Sequence, residues 1–338
     1  MTYFKNKEIT KDNIKFELTN VNTGLANGIR RVLIANIETI AFNENNINIT
    51  ENTAVLHNEY IKHRISLIPI YFNEIKNYND NEPLIINYSK KNNDEKFFTV
   101  YAQDCTIEYK NNILNSKDIF IRNVPICELK AGETLVFNAK ATKGHSKMNA
   151  IWQAVNSVGY YFKYEQPTEE RLSEFKTEIE KRNYINCDIQ KDYIKNDKGE
   201  PEIYVFNVEL CGNRDGTNLI NETLDFLIDK IEKILLAIQK YDNDNEKIII
   251  NENNKVKGLT DYYIKDEDHT IGNLINYELN NDDRIIFCGY NMKHPLTPEC
   301  RIRIRVKKKF NVNDIMIENL NKIKNKITSL KLEWEKNI

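Results

Sequence analysis

"NTGLANGIRRVLIANIETIAF", residues 22–42, carries apolar side chains at Leu25, Ile29, Val32, Leu33, Ile37, Ile40 and Ala41. Spacings that are mostly three and four put them on one stripe of a helix. Asn22 or Thr23 stands ahead of that stripe as an N-cap, so a helix is expected over the whole stretch. Gly24 and Gly28 each cost about 1 kcal/mol against alanine inside a helix. Four positions apart they share one face, which close approach of another backbone would explain.

Upstream, "IKFELTN" (14–20) alternates Ile14, Phe16 and Leu18, a half-buried strand. The same strand-helix order returns far downstream. "PEIYVFNVEL" (201–210) alternates, "CGNRDGTN" makes a turn, and a long helix follows through Leu219, Leu224, Leu227, Ile231, Ile234 and Ile238. These outer pairs, 1–45 and 201–240, are expected to build one discontinuous module. Residues 46–200 are expected to form an inserted, mainly β domain. It holds the runs "FFTVYAQD" and "ETLVFNAKA" and one charged helix, "TEERLSEFKTEIEKR", capped by Thr168. Residues 241–258 are polar apart from "III" and are expected to be a linker in which "KIII" can add a strand.

From 259 to 338 the order recurs in miniature. "LTDYYIK" is a strand, "HTIGNLINYELNN" a helix, "RIIFCGY" and "CRIRIRVK" strands, and the last helix carries Ile315, Leu320, Ile323, Ile327, Leu330 and Trp334. The fold class is therefore α+β, two unequal copies of one module in one chain.

The composition is that of a soluble globular chain, and the net charge of −2 gives no global field for nucleic acid. No run of 18 apolar residues and no signal-like start occur, so an intracellular, non-membrane protein is expected. Cys105, Cys127, Cys187, Cys211, Cys288 and Cys300 are scattered without a CxxC pair, and no metal or cofactor is expected.

The chemistry-bearing residues each have a plain reading. His269, in "DHTIGN", lies beside two cap residues, Asp268 and Thr270, at the start of an apolar period, and no nucleophile accompanies it. His57 and His63 in "HNEYIKHR" are six apart, a poor fit to the i, i+4 spacing of a helical zinc pair. They are read as part of a polar face over Val55, Leu56, Ile61, Ile65 and Leu67. "CGNRDGTN" lacks the GK[ST] of a phosphate loop. "RIRIRVKKK" puts Arg301, Arg303, Arg305 and Lys307 on one strand face, which suits a solvated or acid-facing surface better than nucleic acid. A free-standing nucleic-acid-binding protein using residues 301–309 is the alternative reading.

Taken together, "VNTGLANGIRRVLIANIETIAF" and "TAVLHNEYIKHRISLIPI" resemble the alpha-like, third-largest subunit of eukaryotic RNA polymerase II and its archaeal D counterpart. That family reads A-N-x-x-R-R, then V-L-x-(D/N)-E-(F/Y)-I-x-H-R-x-x-L-I-P. "DHTIGNLINYELNNDDRIIFCGYNMKHPLTPECRIRIRV" is similar to the smaller, archaeal L-type partner, which reads D-H-T-x-G-N and then F-x-G-Y-x-x-x-H-P.

The resemblance implies a natural fusion of the two alpha-like subunits, as in large nucleocytoplasmic DNA viruses; the abundance of Asn, Ile and Lys agrees with an AT-rich source. It implies a non-catalytic platform that docks the second-largest and largest subunits and the small zinc-binding subunits, with template DNA met only through the complex. The compartment implied is a viral factory in the host cytoplasm or the nucleus, with packaging into the virion open. Many third-largest subunits hold structural zinc in the insertion; the dispersed cysteines here do not carry it across. Gly24, Leu25, Asn27, Gly28, Ile29 and Leu33 are expected to face His269, Gly272, Asn273 and Leu274 across the module interface. Arg30, Arg31, His57, Glu59, Tyr60, His63, Arg64, Leu67 and Pro69 are expected to dock polymerase partners. A coil of about 18 residues spans roughly 24 Å, enough to join neighbouring modules.

Overall fold

The computed structural model describes residues 2–240, 247–252, 258–294 and 296–336. The chain opens with β1 (Phe4–Ile9) and β2 (Asn13–Thr19), an antiparallel pair, followed by α1 (Thr23–Ala35). The side chain of Asn22 caps α1, its Oδ1 accepting from the Leu25 amide at 2.7 Å. Contrary to expectation, α1 does not run to Phe42. The Asn36 amide closes on Val32 O at 2.9 Å, and β3 (Glu38–Asn52) begins two residues later. Ile37 and Ile40 fit a helical spacing and a buried strand equally well. Tertiary pairing decides: Ile40, Ala41 and Phe42 lie against Lys143, Thr142 and Ala141 in the register of a neighbouring strand.

After α2 (Asn58–Ser66) come β4 (Ile85–Lys91), β5 (Phe98–Tyr101), β6 (Thr106–Tyr109), β7 (Asn112–Leu114), α3 (Ser116–Ile119), β8 (Pro125–Leu129) and β9 (Thr134–His145). They form a five-stranded sheet, β3-β9-β4-β6-β7, and a two-stranded β5-β8. Both cover a core of their own that includes Phe42, Ile61, Ile65, Ile86, Val100, Phe120 and Phe137.

Next follow β10 (Val155–Phe162), the short helices α4 (Glu169–Ser173) and α5 (Glu178–Asn183), β11 (Ile203–Leu210) and α6 (Gly216–Gln239). The expected single charged helix is thus two, each with its own cap: Thr168 accepts from Arg171 N and Thr177 from Glu180 N. Neither buries an apolar stripe, so nothing holds the segment straight. The boundary at 46–200 also needs correction. β3 joins the insertion from Glu38, whereas β10 pairs along β11 and completes the larger module's sheet, β1-β2-β11-β10.

The smaller module comprises β12 (Ile248–Glu252), β13 (Leu259–Lys265), α7 (His269–Asn280), β14 (Ile285–His294), β15 (Thr297–Val306) and α8 (Val312–Lys336), with sheet order β12-β13-β15-β14. The "III" run is the edge strand β12; positions 241–246 and 253–257 of the expected linker lie outside the described residues. The two sheets match strand for strand, and the helices between them, α1, α6, α7 and α8, bury their stripes in one continuous core. That shared core includes Leu25, Ile29, Leu227 and Ile234 from one module and Leu274, Ile275, Leu320 and Ile327 from the other.

Candidate assembly interfaces

The seam between modules is built first by α1 on α7. A Cβ on Gly24 would lie 3.6 Å from both Nδ2 and O of Asn273, and one on Gly28 would lie 3.7 Å from Cγ2 of Thr270. At Gly28 an alanine would just fill the gap; at Gly24 it would also press within 3.2 Å of Asn22 Oδ1, the cap of α1, and any longer side chain at either must push α7 away. Leu25, Ile29, Leu33 and Leu274 are all buried beside this crossing. Asn27 is half-buried and accepts from Nε of Arg30 at 3.0 Å.

Two expected roles change. Gly272 approaches its own sheet rather than the facing helix: a Cβ there would come within 2.7 Å of Cys300 Sγ and Tyr290 Cδ2. His269 is exposed, with Nδ1 3.3 Å from the hydroxyl of Tyr290 in its own module. It opens α7, and its hydrogen bond and its ring contact are both with Tyr290 of its own sheet. The cap is Asp268, whose Oδ1 accepts from Thr270 N at 2.9 Å.

Arg31, expected to reach an outside partner, is spent inside the chain. Its Nε donates to Thr270 Oγ1 at 2.9 Å across 239 positions, and its Nη2 lies 3.4 Å from Asp268 Oδ2. Lys147 joins the same carboxylate at 3.3 Å. Burial alone would raise the pKa of Asp268, but the Thr270 hydrogen bonds and the two cations outweigh it and bring it to about 2. A carboxylate held below its ordinary value of 3.8 stabilises the fold above that pH, and the contribution is lost as pH falls from about 4 to about 2. With partial exposure discounted, about 1 to 2 kcal/mol is at stake. Urea titrations at pH 2.5 and 5 should show this increment in the native chain. In Asp268→Asn, which keeps the cap, the pH-linked part should vanish; an unchanged pH slope would reject the assignment.

Further along the seam, sequence reading missed a buried acid. Glu267, 4% exposed, takes Lys230 of α6 at 3.1 Å and Lys247 at 2.9 Å. Lys331 pairs with Asp225 at 2.5 Å and Lys324 with Glu232 at 2.6 Å, tying α8 to α6. These ion pairs join residues far apart in sequence, and no local pattern signals them.

The second surface is α2. Ile61 and Ile65 anchor it in the insertion core, and His57, Glu59, Tyr60 and His63 face out. His57 Nδ1 is 2.9 Å from Glu59 Oε2, and its ring centre is 4.6 Å from that of Tyr60. Arg64 does not wait for a partner: Nε donates to Ile126 O and Nη2 to Pro125 O, both at 2.6 Å, binding α2 to β8. Val55 and Leu67, expected beneath the polar face, are exposed, at 71% and 51%. Val55 and the exposed Phe97 line a groove of about 570 Å³ between α2 and β5-β8, and Tyr60 and Leu67 add exposed apolar surface on α2. Pro69 is half-buried after the helix.

The basic strand is largely answered from within. Ile302, Ile304 and Val306 are buried, while Arg301 Nη2 lies 2.6 Å from Asp261 Oδ2 and Arg303 grips both oxygens at 2.7 and 2.8 Å. Among the described residues no three His, Cys, Asp or Glu side chains converge as a metal set. Burial pushes the thiols of Cys105 and Cys127 up to about 12 and about 11, away from the thiolate form that metals bind. No helix is long and apolar enough to cross a membrane, among the described residues.

This arrangement has relatives. The RNA polymerase Rpb3/Rpb11 dimerisation domain matches twice, over residues 15–231 and 260–333. The DNA-directed RNA polymerase subunit Rpo3 of Methanosarcina acetivorans is 35% identical over 45% of this chain, and the chain spans 58% of that protein's length. Rpo3 of Pyrococcus furiosus is 27% identical over 69% of this chain and 95% of its own. The RNA polymerase II subunit RPB3 of Schizosaccharomyces pombe is 25% identical over 48% of the chain and 60% of its own length. With the first match covering more than half of its residues, the chain belongs to the RNA polymerase Rpb3/Rpb11 dimerisation-domain family.

Proposed function

We propose that this chain is a non-catalytic assembly platform of a multisubunit DNA-directed RNA polymerase, in which the Rpb3-like and Rpb11-like partners are joined in one polypeptide. One observation carries the reading: two dimerisation modules of unequal size bury their helices in a single core within one chain. A fused pair fixes a one-to-one ratio and replaces a bimolecular step by an intramolecular one at an effective concentration on the order of millimolar. The fusion, with the AT-rich residue usage, supports a source among large nucleocytoplasmic DNA viruses and work in a viral factory or the nucleus. The catalytic carboxylates belong to the large subunits.

The α2 surface is assigned to the second-largest subunit, with the largest and the small zinc-binding subunits joining on the platform. Tyr60, in the first turn of α2, and Leu67, its C-cap, are its anchors, because both are large, largely apolar and exposed. Tagged chain recovered from its source should bring down both large subunits at one copy each, with polymerising activity. In Tyr60→Asp/Leu67→Asp, recovery of the second-largest subunit should fall at least about tenfold, the scale of a lost hot spot. Its melting temperature should stay within about 2 °C of the parent, as expected of surface substitutions. A lone, inactive monomer from the unmodified chain would reject the platform reading; full recovery with the double variant would reject only the docking assignment.

A further inference from the structure

We propose that β14 is a docking edge that accepts an extended, acidic segment of another polypeptide as an added strand. The strand ends the smaller module's sheet, and among the described residues no backbone group pairs with its outer side. From Ile285 to Met292 it carries no charge and no proline, and its bulges lie only at its two ends, leaving the middle in regular register. Protected edges are short, charged or irregular. Two of the other three edges of the module sheets are so protected. β1 carries Lys5, Lys7 and Glu8 around a bulge, and β12 has five residues. β10, the counterpart of β14 in the larger module, is also uncharged, but Gln153 Nε2 donates to the carbonyls of Val155 and Asn156 at its start. β14 has no such cover along its regular stretch from Phe287; Phe287 stands 51% exposed at the start of that stretch, and Ile286, 54% exposed, is the extra residue of the bulge just before it.

The surrounding charge selects the occupant. Phe287 is registered against Arg305, and Lys307, Lys308 and Lys309 follow at the same end, all exposed. None of these four cations has a carboxylate within 4 Å among the described residues, whereas Arg301 and Arg303 are answered by Asp261. An added strand with apolar residues against Ile286 and Phe287 and a carboxylate toward Arg305 meets both features. A second copy of this chain would bring the same cations together. Nucleic acid fits less well, because the edge itself offers peptide groups and apolar side chains, and Asp261 neutralises much of the arginine row.

The strand's donor is taken to be a chain of the polymerase, so the inference rests on the platform reading to that extent. The test compares hydrogen exchange at residues 286–292 in the free chain and in the assembly recovered through a tag on it. A benzophenone side chain in place of the exposed Asn291 identifies the neighbour. Outward amides should slow by at least about tenfold in the assembly, as hydrogen-bonded strand amides do. The crosslink should fall in an acid-rich stretch of another polypeptide, and Ile286→Lys/Phe287→Lys should abolish both signals while the free chain keeps its melting temperature. Unchanged exchange, or a crosslink to nucleic acid or to a second copy, overturns the inference. If both large subunits co-purify and β14 stays open, only this inference fails; if neither co-purifies, the platform reading fails with it.

Discussion

Trp334→Ala should lower the unfolding free energy by about 3–5 kcal/mol, the range for a large aromatic removed from a packed core. Trp334 sits in the last turns of α8, yet it is fully buried, and it is buried in the other module. Its ring stands 4.9 Å from Phe4 and 5.6 Å from Phe16, edge to face in both cases. Its Nε1 donates to Thr217 O at 3.1 Å, at the start of α6. Next to it Glu333 accepts from the amides of Tyr3 and Phe4 at 2.8 and 2.9 Å, so the C-terminal helix also satisfies the first strand of the chain. Truncation would open a cavity and remove a hydrogen bond at the point where the modules interlock. Trp334→Phe keeps most of the ring and should cost less than half as much. Equilibrium urea unfolding with an unchanged m-value checks both. A loss under 1 kcal/mol for the alanine variant would mean that the modules hold together without this contact.

Much of this architecture was legible in residue spacing, and the exceptions share a cause. The stripes of α6, α7 and α8, the alternation in β2, β11 and β15, and the Asp268 cap are local patterns, and each is where spacing puts it. Residues 37–42 failed because isoleucines three apart satisfy two periods, and only the pairing with β9 separates them. β1 was missed because "FKNKEI" has little alternation; it is a strand because β2 lies beside it. The candidate sites divide in the same way. Gly24 and Gly28 share a helix face by spacing alone, and in the structure Cβ atoms there would lie 3.6 and 3.7 Å from Asn273 and Thr270. That Arg31 and Arg64 are consumed inside the chain does not follow from spacing, because their acceptors lie 239 and about 62 positions away. An arginine in a long motif reads identically whether its fork serves the fold or a partner.

Arg214 is the strongest case of a residue that local sequence leaves silent, and its loss should be as costly as that of Trp334. In "CGNRDGTN" it passes for a polar turn residue, yet its side chain is almost wholly buried where module meets insertion. Nη1 donates to Glu38 O at 2.6 Å, at the first residue of β3, and Nη2 holds the carboxylate of Glu222 on α6. Neighbouring atoms tighten the same junction: Asn213 O accepts from Phe72 N at 3.1 Å, and Asp215 N donates to Asn73 Oδ1 at 3.1 Å. Arg214→Ala leaves Glu222 without its counter-charge and the Glu38 carbonyl without its donor, and about 3–5 kcal/mol should be lost. Arg214→Lys keeps the charge but has no fork to serve both acceptors, so it should recover only part. Removing both charges, as Arg214→Met/Glu222→Leu, should be milder than the alanine variant, because no unpaired ion remains. The two tryptophans make the outcome specific. Trp334 reports on the shared core, while Trp152, whose Nε1 donates to Thr142 O, reports on the insertion. In the native chain their fluorescence transitions in urea should coincide; in Arg214→Ala they should separate, because the two cores lose the bond that makes them melt as one. Coincident transitions at reduced stability would leave Arg214 important to folding but not to the coupling of the two cores.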